Sequence, residues 1–203
     1  MKKIIRVSAA VAVTSALFTA QAAMAYQAGD FFVRGGYAKV APTSDNGDVA
    51  GSELDVSDER GFTYGVGVLV TDNIGIELNS SEAFEHDLST SALGPLGSIE
   101  RTPINLLANY YFLGGTGASV QPYIGVGVNY TTYSDEELAG LDIDDSWGAI
   151  GQFGVDLAIT NFLMLNGAIS YADVEADASL NGSGIGTADV DPVTIGGGIT
   201  LRF

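Results

Sequence analysis

The chain contains a stretch in which apolar residues alternate with polar residues or glycine: Val193-Thr194-Ile195-Gly196-Gly197-Gly198-Ile199-Thr200-Leu201-Arg202-Phe203. Successive side chains of a β-strand point to opposite faces, so this period of two predicts a strand with one apolar and one polar face. Residues 123–133 show the same alternation with the opposite phase. We find eight such segments, which begin near Phe31, Gly61, Ile74, Thr102, Gln121, Ser146, Phe162 and Val193.

The connections between these segments alternate in length. The short ones are residues 71–73, 113–119 and 160–161; the long ones, residues 41–60, 81–101, 134–145 and 173–191, hold most of the acidic residues. An even number of strands with short turns at one end and long loops at the other is typical of bacterial outer-membrane barrels. We therefore predict an all-β fold, an eight-stranded antiparallel transmembrane β-barrel with four long outer loops and short periplasmic turns.

A soluble lipocalin-like barrel is the alternative, because it has the same alternation with the apolar face inside. The polar face here consists of Gly, Asn, Thr and Ser, which cover a soluble surface poorly but suit a narrow, crowded lumen. A soluble barrel also scatters charge along its outer face, whereas here the acids lie mainly in the connections. Both features favour the membrane barrel.

The N-terminal residues have the pattern of a secretory signal peptide. Lys2, Lys3 and Arg6 precede the apolar run 7–18, and Ala23-Met24-Ala25 provides a small-x-small cleavage site. We therefore expect residues 1–25 to be cleaved and residues 26–203 to form the barrel in the bacterial outer membrane.

The charge balance of residues 26–203 excludes one class of partner. Five basic and 25 acidic residues remain there, a net charge of −20. Nucleic-acid binding needs a basic surface, so we expect no nucleic-acid partner.

The chain has no cysteine, which rules out disulfides and thiol chemistry. The expected surroundings are outer-membrane lipid on the apolar face and water around the acidic loops.

Several strings resemble one family of such barrels. They are Gly29-Asp30-Phe31-Phe32-Val33-Arg34-Gly35-Gly36, Thr71-Asp72-Asn73-Ile74-Gly75-Ile76-Glu77-Leu78, Pro122-Tyr123-Ile124-Gly125-Val126-Gly127-Val128-Asn129-Tyr130 and Asp145-Ser146-Trp147-Gly148-Ala149. In this order they resemble the outer membrane protein W (OmpW) family. The resemblance implies passage of small hydrophobic molecules through a narrow lumen that opens sideways. The terminal Phe203 also resembles the signal read by the outer-membrane assembly machinery, an expected partner.

The chain departs from that family at two inward positions. Relatives carry bulky apolar residues there on the third and seventh strands, where this chain has Asn79 and Ser170. The resemblance therefore does not carry an apolar gate at this level over to this chain.

The alternation assigns every second residue of a barrel strand to the inner face, which we call inward parity. It therefore predicts which side chains lie in the lumen. It places four charged residues together at the turn end, where they should pair and plug the barrel: Arg34, Glu77, Asp156 and Arg202. Small residues such as Gly127 should leave room above this plug, and alanine there should cost less than an arginine at Val126 on the lipid face. The predicted lumen-lining residues are Phe32, Asn79, Asn129, Ile150 and Ser170.

Catalysis is not expected. His86 is the single histidine, and the sequence has no G-x-S-x-G nucleophile elbow, so we assign no catalytic residue, cofactor or metal site. Two functions from different classes remain. One is passage of small hydrophobic solutes with sideways exit from a plugged lumen; the alternative is a structural or adhesive barrel that acts through its acidic loops without transport.

Overall fold

Strands make up all regular structure in the residues that the computed structural model describes, which are 26–42, 48–49, 52–90, 94–134 and 140–203. The predicted signal peptide lies outside these residues. No helix in this part of the chain is long and apolar enough to cross a bilayer. The strands are β1 (Phe31–Ala41), β2 (Asp48–Val49), β3 (Ser52–Val56), β4 (Glu59–Leu69), β5 (Ile74–Ser81), β6 (Phe84–Thr90), β7 (Gly94–Tyr111), β8 (Val120–Ser134), β9 (Leu141–Ile143), β10 (Ser146–Ala158), β11 (Leu163–Ala172), β12 (Glu175–Leu180), β13 (Ser183–Asp189) and β14 (Val193–Arg202).

Within the described residues, eight strands form a closed antiparallel barrel in the order β1-β4-β5-β7-β8-β10-β11-β14. β14 closes the ring by pairing with β1, with Phe32 opposite Arg202. Closure pairs the backbone around the whole ring, which a sheet in lipid requires. Each barrel strand covers one of the eight alternating segments, so the predicted fold class is confirmed.

The two ends of the barrel differ. The backbone N–H of Phe203 donates to the carbonyl of Phe31 (2.8 Å), and that of Gly115 donates to the carbonyl of Tyr26 (2.9 Å). The N–H of Arg202 donates to the carbonyl of Phe162 (2.8 Å). The described chain termini and the short connections 70–73, 112–119 and 159–162 therefore share one end, which we call the turn end. The opposite end is the loop end.

The long acidic stretches were predicted as loops; they do connect the barrel strands at the loop end, but much of their described length forms further strands. β6 pairs with the first part of β7 and with β3, and β2, β13, β12 and β9 continue this sheet beyond the barrel. Leu88, Ile99 and Ile143 form part of a buried apolar cluster within it. The alternation was hidden because charged residues such as Glu85 and Asp87 occupy the exposed face of these strands.

The apolar face of the barrel points outward. Val126 is 69% exposed, and equivalent outward positions on the other barrel strands are also apolar and exposed. Tyr130 and Trp147 stack with ring centroids 4.6 Å apart at the upper margin of this band, and Tyr110 and Phe112 pack 5.4 Å apart at the turn end. An apolar band with aromatic residues at both margins is the surface of a barrel that sits in lipid.

Candidate functional site in the barrel lumen

The lumen near the turn end is filled by packed side chains. Rings of Tyr26 and Tyr111 lie 4.5 Å apart between centroids, and those of Tyr111 and Tyr123 lie 5.1 Å apart. Phe32, predicted as lumen lining, belongs to this cluster. Each member is at most 1% exposed: Tyr26, Phe32, Leu69, Tyr111, Tyr123 and Met164.

An ion-pair network lies directly beside this aromatic cluster. Arg34 Nη1 lies 2.9 Å from Glu77 Oε2, and Arg34 Nη2 lies 2.9 Å from Asp156 Oδ2. The guanidinium also lies over the rings of Phe32 and Tyr123, 5.1 and 5.4 Å from their centroids. One arginine therefore joins strands on opposite sides of the lumen through both of its terminal nitrogens.

Neutral donors complete the coordination of both carboxylates. Glu77 accepts from Asn109 Nδ2 (2.7 Å) and Asn79 Nδ2 (3.2 Å). Asp156 accepts from the hydroxyl of Tyr26 (2.9 Å) and from Asn166 Nδ2 (2.9 Å). A buried ion pair is tolerated when its remaining lone pairs are satisfied in this way.

Arg202 is not part of this network, contrary to the prediction. Its Nη1 lies 3.7 Å from Asp30 Oδ2, and its Nη2 donates to the carbonyl of Asn161 at 2.6 Å. The Arg202 guanidinium lies 5.9 Å from the ring centroid of Tyr26, at the turn end of the aromatic cluster. The prediction failed because parity assigns a side chain to a face, while the stagger of the strands sets its depth.

A chain of side-chain hydrogen bonds rises from the network toward the loop end. The hydroxyl of Thr131 donates to Asn129 (2.8 Å), Asn129 to Asn105 (2.7 Å), and Asn105 to Asn79 (2.8 Å), which donates to Glu77. Every donor in this chain points toward the carboxylate. Asn79 and Asn129 were predicted as lumen-lining residues, whereas Asn105 was missed, although the alternation of β7 directs it inward.

Above the network lies a cavity of about 120 Å³. Four of the predicted lining residues border it, namely Asn79, Asn129, Ile150 and Ser170, whereas Phe32 lies below it. Glycines of β14 and small residues such as Ala168 leave the space open. The cavity therefore occupies the part of the lumen between the ion-pair network and the loop end.

The cavity reaches the barrel wall where β7 changes partner. β5 pairs with β7 as far as Ser80 opposite Ile104, and β6 takes over with Phe84 opposite Arg101. Pro103 lies between these pairs and has no N–H to donate. The hydroxyl of Ser80 donates to the Pro103 carbonyl at 2.7 Å. Tyr64 borders the cavity although 56% of it is exposed on the outer surface.

His86 lies beyond the membrane band, on β6. Its Nδ1 lies 2.8 Å from the carbonyl of Ser57. Burial, and to a smaller extent the nearby guanidinium of Arg101, lower the pKa of His86 to about 4, against the opposing effect of the Ser57 hydrogen bond. The imidazole is therefore neutral at physiological pH and serves as a packed hydrogen-bonding group.

Among the described residues, no group of three His, Cys, Asp or Glu side chains is arranged to hold a metal ion. The polar side chains that converge in the lumen are carboxylates that already pair with Arg34 and amides that already hydrogen-bond to each other. Their arrangement can hold the barrel walls together and present a polar floor to a molecule in the cavity.

Comparisons with known proteins agree with this architecture. The family model described as the OmpW family matches residues 27–203. Outer membrane protein W of Salmonella typhi is 37% identical over 188 residues, which cover 87% of each chain. The crystal structure of OprG from Pseudomonas aeruginosa superposes with a TM-score of 0.79 at 32% identity, covering 88% of this chain and 98% of that one. The solution structure of E. coli outer membrane protein W superposes with a TM-score of 0.62 at 34% identity, covering 87% of this chain and 99% of that one.

Relatives named as outer membrane proteins match nearly the whole barrel. The exposed apolar band of the barrel agrees with a location in the outer membrane. These relatives are barrel proteins of the outer membrane rather than known enzymes. The chain is a member of the OmpW family of outer-membrane β-barrels.

Proposed function

We propose that this protein lets small, mainly hydrophobic molecules cross the outer membrane. A solute enters the cavity from the loop end, is stopped by the Arg34 network and leaves sideways through the wall beside Ser80 and Pro103. The observation that carries the proposal is the cavity itself, which is bordered both by the lumen residues and by the outward-facing Tyr64.

The contents of the lower lumen support a blocked axial path. The Arg34 network spans the lumen, and the side chains beside it are almost fully buried. Opening this path breaks two buried ion pairs and exposes aromatic surface, both of which cost free energy. A sideways path at the cavity level leaves the network intact.

The wall beside the cavity supports the exit. The backbone ladder of β7 passes from β5 to β6 at this place, and Pro103 cannot contribute a donor. The interruption occurs beside a hydroxyl contact between Ser80 and Pro103, which a rotamer change of one serine breaks. Ile104 is paired with Tyr130, so an apolar solute that leaves here enters the lipid at the upper margin of the apolar band.

A reversible crosslink tests the exit. Ser80 and Ile104 are directly opposed and outward-facing, so a Ser80→Cys/Ile104→Cys disulfide ties β5 to β7 at the edge of the interruption. Leu157→Cys/Leu165→Cys is the matched control between β10 and β11. The chain has no other cysteine, so each pair reacts alone. Uptake of a hydrophobic solute such as octane is measured in cells with and without reductant.

We expect the β5–β7 crosslink to abolish solute uptake and reductant to restore it, while the control crosslink changes nothing. Full uptake with the exit crosslinked would refute the sideways path. Equal uptake by cells with and without wild-type protein would refute transport and favour the alternative, a structural or adhesive barrel that acts through its acidic loop end.

A further inference from the structure

Arg101 lies in the wall of the cavity close to the proposed exit. It is on β7, only 2% exposed, opposite Phe84 on β6 and Tyr133 on β8. Its position in the alternation of β7 directs the side chain inward, and it borders the cavity together with Phe84 and Pro103. It is thus a buried cation at the loop end of the lumen.

This guanidinium lacks partners within the described part of the chain. Its Nε and Nη1 atoms are buried and make no hydrogen bond, and no described carboxylate lies within ion-pair distance. Arginine keeps its charge in proteins, so the side chain cannot avoid the penalty by losing a proton. Arg34, by contrast, pairs with two carboxylates.

Two further buried polar atoms lie around the same site. The hydroxyls of Ser81 and Tyr133 are buried and have no hydrogen-bond partner among the described residues. Ser81 also borders the cavity, and Tyr133 is directly opposite Arg101 in the strand register. Native structures leave few buried polar atoms unsatisfied, so a group of them beside a cavity indicates a ligand site.

The chemistry of the site defines the ligand. An unpaired guanidinium matches a carboxylate, which accepts two parallel hydrogen bonds from it. The lining of the cavity also includes the apolar side chains of Val40, Phe84, Pro103 and Ile150. The ligand therefore carries one carboxylate on a short apolar chain.

We propose that the cavity binds short-chain monocarboxylates, with Arg101 as the counter-ion of the carboxylate and the hydroxyl of Ser81 as an additional donor. This site narrows the class of solute in the proposed function, and its role in the cell rests on that function. Binding itself does not depend on passage, so the two are tested separately.

Calorimetric titration of the full barrel in uncharged maltoside micelles tests the site with sodium hexanoate and its neutral isostere hexanamide. We expect wild-type protein to bind hexanoate at least about tenfold more tightly than hexanamide, as one charged hydrogen-bonded pair implies. Arg101→Gln should remove this preference, mainly by weakening the binding of hexanoate. Arg60→Gln, which removes an exposed arginine, is the matched control and should bind both as wild type does.

Equal binding of the two probes to wild type, or an unchanged preference in Arg101→Gln, would overturn the site. Arg101→Lys covers the case in which the glutamine variant does not fold. Lysine keeps the charge but cannot make the two parallel hydrogen bonds. The ratio of hexanoate to hexanamide affinity in this variant should therefore lie between one and the wild-type ratio. Full retention of the wild-type ratio would overturn the assignment. A barrel that prefers hexanoate but takes up no solute in cells refutes the proposed function alone.

Discussion

Arg34 and Asp156 are 122 positions apart in the chain, yet Arg34 Nη2 and Asp156 Oδ2 lie 2.9 Å apart inside the barrel. The pair joins β1 to β10 across the lumen, while the other end of the guanidinium binds Glu77 on β5. Three strands, no two of which are neighbours in the barrel, are thus fixed to one another at the level where the aromatic cluster meets the cavity.

Removal of Arg34 should destabilise the barrel strongly. Arg34→Ala leaves two buried carboxylates without their cation, which costs about 3–5 kcal/mol of unfolding free energy. Lys39→Ala is the control, because its pair with Asp58 is exposed and contributes about 0–1 kcal/mol. Urea unfolding in micelles, followed by the fluorescence of the single tryptophan, measures both. Equal losses in the two variants would contradict the importance of the network.

A charge on the lipid face should also be costly. Val126 is 69% exposed near the middle of the apolar band of β8, so Val126→Arg should cost about 2–4 kcal/mol in a bilayer. Val126→Leu keeps an apolar surface and is the control. Unfolding titrations in lipid vesicles check the difference. Wild-type stability of the arginine variant would mean that this face does not contact lipid.

Alanine at Gly127 should cost more than alanine at Gly167. A Cβ at Gly127 would overlap the Leu106 carbonyl oxygen of the neighbouring strand, whereas one at Gly167 meets open space. We expect Gly127→Ala to lose about 1–3 kcal/mol, as overpacking does, and Gly167→Ala to lose much less. Urea unfolding compares them. Equal stability would mean that β7 and β8 separate without cost.

The titration of His86 should be displaced to low pH. Burial lowers its pKa to about 4 from the ordinary value of 6.5, so between these values the unfolded chain binds more protons than the folded barrel. Stability therefore falls as the pH drops from about 6.5 to about 4 and changes no further through this group. NMR of the single imidazole in untagged protein gives the midpoint. A midpoint near 6.5 would place His86 in water.

Cysteine labelling should distinguish the two ends of the barrel. Ser183 lies in the exposed β12–β13 hairpin at the loop end, and Asn161 lies in an exposed turn at the other end. A membrane-impermeant maleimide on intact cells should label Ser183→Cys and leave Asn161→Cys unmodified. The reverse labelling would invert the barrel in the membrane. No natural cysteine interferes.

The sequence by itself was enough for the architecture. Period-two alternation identified the eight barrel strands, and the alternating lengths of the connections separated the turn end from the loop end. Both signals are local, since each strand has to present an apolar face to lipid whatever its neighbours are. The strands inside the acidic stretches escaped detection because their exposed faces carry charges and their buried cluster forms only when separate loops meet.

The tertiary structure alone decided which lumen charges meet. Parity places Arg34, Arg101 and Arg202 on the inner face, but it does not give their height or their partners. The stagger of eight strands brings Arg34 to Glu77 and Asp156, brings Arg202 to Asp30, and leaves Arg101 beside the cavity without a described carboxylate. An ion pair forms over a few ångströms, whereas one step of two residues along a strand moves a side chain by about 7 Å. Register across the closed sheet therefore determines the chemistry of the lumen.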